Sequence, residues 1–149
     1  MKTIIITAIV LFAGFGCGTK KMSENGEGQN LEVKTEELKA TLGEIPENSD
    51  PVKIKRATIS GNIMTLEVTY SGGCKDHEFQ LIGREMISKS LPPIRSVKLV
   101  HTGNEDMCDA LIMKTLKFDI SELAYKKEVG SEVMLKLSDL DESLKYTFE

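Results

Sequence analysis

The chain has no tryptophan, only two histidines, three cysteines and four prolines, and aromatics make up 5% of its residues. Without Trp it lacks the side chain that packs on the inter-sheet disulfide of an antibody-type core. No apolar run approaches the ~20 residues that a membrane-spanning helix needs. Cationic excess is missing too: 19 Lys+Arg stand against 23 Asp+Glu, a formal charge of −4. A nucleic-acid surface needs a basic face, so the composition argues against DNA or RNA as a partner. Catalytic signatures are also absent. There is no G-x-S-x-G, no H-E-x-x-H, no Walker loop and no G-x-G-x-x-G after a strand, and the expectation is a protein that is not an enzyme.

What is present begins at the N-terminus. Lys2 precedes an uncharged apolar run from Thr3 to Phe15, the length of a signal-peptide core, and Gly14-Phe15-Gly16 leads into Cys17. A small residue before a cysteine at that place is where lipoprotein signal peptidase cuts. The Cys17 thiol then takes a diacylglycerol, and more than one acyl chain gives stable anchoring. The alternative is an ordinary secretory peptide cut near Ala13 or Gly16, which leaves Cys17 free. Lipidation fits the cysteine count better, because it leaves Cys74 and Cys108 as a pair.

Loss of Lys2 with the leader makes the exported chain one charge more negative. Residues 1–16 are thus read as a lipoprotein signal peptide, 17–50 as the lipidated cysteine with a flexible linker, and 51–149 as the folded domain. Gly18 to Asn30 is too polar to offset its ordering entropy. Leu31 to Leu42 is open to three readings: a weak helix capped by Thr35, a bound strand, or disorder. Pro46 and Pro51 bracket a turn-rich boundary.

Within the domain, alternation dominates. Met64, Leu66, Val68 and Tyr70 alternate with Thr65, Glu67 and Thr69, as half-buried strands do. Leu116, Phe118 and Ile120 follow the same rule, and so do Val133, Leu135 and Leu137, and Leu144, Tyr146 and Phe148. Val52 to Ser60 turns at Gly61-Asn62 and changes phase between Ile54 and Ile59, which implies a bulge. Glu78 to Ile82 and Arg95 to Thr102 complete about seven strands, and Ser121 to Ser131 is a longer connection with room for a helical turn. The pattern predicts an all-β fold: an immunoglobulin-like antiparallel sandwich behind a lipoprotein tether.

If successive strands run up and down, Cys74, His77, His101 and Cys108 all fall at one end of the domain. Outside the cytoplasm, a disulfide between Cys74 and Cys108 is the leading reading and would stabilise by ~3–4 kcal/mol. The alternative is a structural Zn or Cu site on Cys74, His77, His101 and Cys108, because Cys-x-x-His has metal-ligand spacing and Met107 adds a soft donor. The leading reading needs no cofactor. Asn104, Glu105, Asp106 and Asp109 lack EF-hand spacing and read as a solvated acidic turn. The stiff connector Leu91-Pro92-Pro93-Ile94 could present apolar side chains to a partner at low entropic cost.

Tyr70-Ser71-Gly72-Gly73-Cys74-Lys75-Asp76-His77-Glu78-Phe79, Ser90-Leu91-Pro92-Pro93, His101, Cys108-Asp109-Ala110 and Leu116-Lys117-Phe118-Asp119 together resemble a group of small uncharacterised lipoproteins of Bacteroidota-type bacteria. The likeness spans roughly Ile59 to Leu123. It implies an envelope lipoprotein with a β domain and carries no activity, substrate or partner with it. The expectation is therefore a non-enzymatic binding or structural module, held to a membrane by lipid, with a protein or small molecule as partner. The outer membrane is favoured over the inner, and the leaflet is left open. Two other readings remain: a periplasmic metal-binding protein using the Cys/His cluster, and a protease inhibitor presenting the Leu91 loop.

Overall fold

The computed structural model describes residues 37–149. The expected signal peptide, Cys17 and the linker before residue 37 lie outside the described residues.

Alternation builds the strands as expected. In β4 (Ile63–Gly72), Met64, Leu66, Val68 and Tyr70 are buried, whereas Thr65 and Glu67 are half-buried on the other face. β3 (Lys53–Ser60) folds back on β4 through Gly61-Asn62, with a register shift between Ile54 and Arg56 that accounts for the phase change in the sequence. The remaining strands are β1 (Glu37–Lys39), β2 (Thr41–Leu42), β5 (Glu78–Gly83), β6 (Ile94–Thr102), β7 (Ala110–Asp119), β8 (Glu132–Leu137) and β9 (Ser143–Thr147). A single 3-10 turn, Ser121–Leu123, lies in the long connection after β7.

These strands form two sheets, ordered β1-β7-β4-β3 and β2-β5-β6-β8-β9. Their inner faces meet in one core. Met64, Leu66, Val68, Leu116 and Phe118 come from the first sheet, and Leu81, Val97, Leu99, Val133, Leu135, Leu137 and Tyr146 from the second. Each such side chain, fully removed from water, contributes about 1.5–3 kcal/mol. The architecture is an all-β two-sheet sandwich.

Three features differ from the expectation. The sandwich starts ahead of residue 51, because β1 and β2 are already strands; at three and two residues they are too short to show a period. The sheets are not purely antiparallel: β1 pairs parallel with β7, β2 with β5, and β6 with β8. The β6–β8 case follows from topology. β7 crosses to the other sheet and reverses direction, so β8 returns running the same way as β6 and lies beside it. Finally, β7 is longer than the stretch Leu116 to Ile120. Leu111, Ile112 and Met113 are apolar on both faces, and this masks the alternation there.

The pairing sorts the connections into two ends. One carries the Gly61-Asn62 turn, the β5–β6 loop with Leu91, and the β7–β8 connection. The other carries the β4–β5 and β6–β7 loops, and with them both cysteines. At the Leu91 end, buried Arg95 acts as a staple. Its Nε donates to the Leu123 carbonyl (2.9 Å), its Nη2 to Ala124 (3.2 Å), and its Nη1 to Arg84 (2.5 Å) and Glu85 (3.3 Å). Burial lowers the Arg95 pKa from its ordinary value. Gly83 makes room for this arrangement, since a Cβ there would stand 2.6 Å from the Leu123 side chain and 3.1 Å from Arg95 Cδ.

Arg95→Met would strand buried carbonyls of both loops and should cost about 3 kcal/mol in urea unfolding. Gly83→Ala, which overpacks the same place, should cost about 1–3 kcal/mol.

Candidate functional site

At the other end of the sandwich, β4 runs out through Ser71 and Gly72 into Gly73, Cys74 and Lys75. Gly73 has φ +110°, which favours glycine. Gly72 is required by close approach, because a Cβ on it would lie 2.6 Å from the His77 ring. This path turns three successive N–H groups toward one oxygen. Asp106 Oδ2 accepts from Gly73 (2.8 Å), Cys74 (2.9 Å) and Lys75 (3.0 Å), while Asp106 Oδ1 accepts from Cys108 (2.9 Å). Lys75 Nζ reaches back to the carbonyls of Asn104 and Glu105, which both adopt positive φ.

The cysteines are joined. Cys74 and Cys108 form a disulfide with Cα atoms 6.0 Å apart, so it ties the two loops that Asp106 also bridges. Behind it lie both imidazoles. His77 Nε2 meets Asp106 Oδ2 at 3.1 Å, His77 Nδ1 meets His101 Nε2 at 2.7 Å, and His101 Nδ1 meets the Pro51 carbonyl at 3.2 Å. Tyr70 packs on both rings at 4.7 and 5.0 Å, and His101 stacks on Phe79 at 4.8 Å. The segment before β3 closes the group: Ser49 Oγ accepts the His101 N–H and Asp50 Oδ2 the Gly103 N–H.

Environment sets the charges. The Cys108 N–H first, then those of Cys74, His77 and Lys75, hold the Asp106 carboxyl well below the usual carboxylate range, against an opposing effect of burial. His101 is pushed down mainly by burial, partly offset by its bond to the Pro51 carbonyl.

The structure thus brings Cys74, His77, His101 and Cys108 to one end but does not assemble them as metal ligands. The two sulfurs are bonded to each other and neither is a thiolate. The rings face each other and Asp106 rather than a common centre. Of the expected solvated acidic turn, Asn104, Glu105 and Asp109 are exposed, but the Asp106 side chain is only 2% exposed, and that of its partner His77 3%. Asp106 is the residue that sequence reasoning missed. Its only local partner is the Cys108 N–H two residues on, as in an Asx-turn, and the donors that bury it come from the β4–β5 loop.

Leu91, Pro92, Pro93 and Ile94 lie at the far end, unconnected to this cluster. Leu91 is 99% exposed. Its loop is tied internally, with the Ser88 N–H given to the Ile94 carbonyl, the Ile94 N–H to Ser88 Oγ, and Ser90 Oγ to the Pro92 carbonyl. The side chain is therefore displayed on a fixed backbone rather than on a loose one.

Two measurements check this account. Cys74→Ser with Cys108→Ser, or reduction, should lower stability by about 3–4 kcal/mol in urea unfolding. Asp106 has a depressed native pKa, so it stabilises above the ordinary carboxylate range and loses that effect as pH falls. Asp106→Asn should therefore flatten part of the acid limb of stability against pH. Asp119, whose pKa is lowered chiefly by the Ser121 hydroxyl, would keep the remainder.

The profile of the NigD-like C-terminal beta sandwich domain matches residues 32–149, which takes in β1 and β2 as well as the span of the lipoprotein resemblance. No curated protein sequence matches the chain. Among solved structures, a NigD-like immunity protein from Bacteroides caccae is similar at TM-score 0.52 and 14% identity, over 74% of this chain and 59% of that one. A putative toxin related protein from Parabacteroides distasonis gives TM-score 0.44 and 18% identity, over 74% and 61%. A protein of unknown function from Bacteroides vulgatus gives 0.46 and 19%, over 76% and 56%. The chain spans less than two thirds of the length of each. With a profile match that runs through every strand described above, this chain belongs to the NigD-like C-terminal beta sandwich domain family.

Proposed function

We propose that this NigD-like chain is a non-enzymatic binding protein of the cell envelope, lipid-anchored at Cys17, which holds a partner protein at the Leu91 end of its sandwich. The observation that carries the reading is Leu91 itself. A leucine side chain 99% exposed costs solvation, and its loop spends internal hydrogen bonds, among them one between the Ser88 and Ser90 hydroxyls, on holding it in place. Pre-ordering an apolar anchor lowers the entropic cost of association.

Other apolar side chains share that end. Met86 is 81% exposed on the same loop, and Val129 and Tyr125 project from the β7–β8 connection. Arg95 holds the roots of both segments through its four backbone carbonyls, so the apolar groups keep their relative positions. Protruding anchors suit a partner's pocket, as in protein–protein contacts, whereas small molecules take concave sites. A protease is one partner that such a loop would fit. The buried state of Asp106, His77 and His101 favours binding over catalysis, since no substrate reaches them without opening the domain. The description of the Bacteroides caccae structure as an immunity protein also accords with binding. The leader before Cys17 supports export and anchoring.

The test uses the lipidated full chain in its own envelope, with a photo-crosslinking residue at position 91 or, as control, at position 139 in the turn after β8. One protein should crosslink from 91 and not from 139, and Leu91→Asp should weaken its capture by about 30-fold or more with unchanged unfolding. Equal crosslinking from both positions would refute the assigned surface. Labelled palmitate should enter the chain, and Cys17→Ser should abolish the label.

A further inference from the structure

Three hydrogen bonds in series join the Asp106 carboxylate to the Pro51 carbonyl through two imidazoles. Each bond needs one proton, and both ends of the series can only accept. A carbonyl has no proton to give. Asp106 Oδ2 already takes the N–H groups of Gly73, Cys74 and Lys75, which hold it in the ionised form. Two neutral imidazoles bring two ring protons for three bonds. Any tautomer pair of that kind sets two lone pairs against each other at hydrogen-bond distance. The clash would fall in a place that water does not reach, because the side chains of His77 and Asp106 are 3% and 2% exposed and His101 is 3% exposed.

We propose that the two imidazoles share three ring protons, forming a monocation neutralised by Asp106, and that this proton latches the β4–β5 loop, the β6–β7 loop and the segment before β3 together. Its loss opens one of the three bonds, and the disulfide end then loosens while the core and the Leu91 end are untouched.

The surroundings fit a cation. Facing the rings are Asp106 from the β6–β7 loop, Asp50 from the segment before β3, and Tyr70 from β4. The nearby ammonium groups are directed elsewhere: Lys75 Nζ to the carbonyls of Asn104 and Glu105, and Lys114 Nζ over the Phe79 ring at 5.2 Å. Above the ordinary imidazole range the native pair keeps a proton that the unfolded chain has released, so there stability falls as pH rises, whereas below that range the depressed His101 acts in the opposite direction.

The experiment is the ¹⁵N spectrum of the histidine-labelled full chain at about pH 7, where an ordinary imidazole is mostly neutral. Three of the four ring nitrogens should resonate as protonated, with His101 Nε2 as the exception. The amides of Gly73, Lys75 and Gly103 should lose protection as pH is raised to about 8 and above. Two unprotonated ring nitrogens at about pH 7, or amide protection that does not change with pH, would overturn the proposal. His77→Gln, if it folds, should abolish the pH dependence at these amides, and an unchanged dependence would also count against it.

Discussion

Asp106 places one charged oxygen where three consecutive backbone N–H groups and an imidazole converge, and its other oxygen holds the N–H of Cys108. A carboxylate this poorly exposed is tolerable only because every direction around it supplies a donor. The same contacts set the path of the β4–β5 loop, bring Cys74 within bonding reach of Cys108, and aim His77 at His101. The disulfide, the histidine pair and the strap before β3 are all arranged around that one ion. The covalent bond restricts the unfolded chain, whereas the carboxylate specifies the folded geometry.

The two ends of the sandwich are held by different means. At the disulfide end Asp106, His77 and His101 spend their polar groups on one another, while Met107 and Leu111 stay exposed beside them. The Leu91 end exposes apolar side chains on loops whose backbones are held from beneath by Arg95. Between them, a continuous apolar core from both sheets keeps the ends at a fixed separation. One end is thus stapled by a disulfide, and the other displays Leu91 on a fixed loop.

Most of the fold was legible because long strands with one face in the core must alternate. β3, β4, β6, β8 and β9 announce themselves through residues such as Met64, Leu66, Val68 and Tyr146. β1 and β2 do not, since two or three residues carry no period, and their parallel pairing with distant strands leaves no local trace. The pairing of Cys74 with Cys108 was legible from their number and from the expected compartment. Asp106 was not. An acidic residue in a Gly-Asn-Glu-Asp loop ordinarily faces water, and its burial follows from donors on a loop more than thirty residues earlier in the chain. Arg95 was hidden likewise, because nothing in a strand sequence tells a buried guanidinium from an exposed one.

Native-state hydrogen exchange of the amides of Gly73, Cys74, Lys75 and Cys108 tests most directly whether one buried carboxylate orders the disulfide end. If Asp106 holds them, the four should exchange together, far more slowly than the loop residues around Leu91, and should become fast as a group in Asp106→Asn with the disulfide intact. If they exchange at the rate of open loops in the unmodified chain, or stay protected in that variant, Asp106 is not what orders this end.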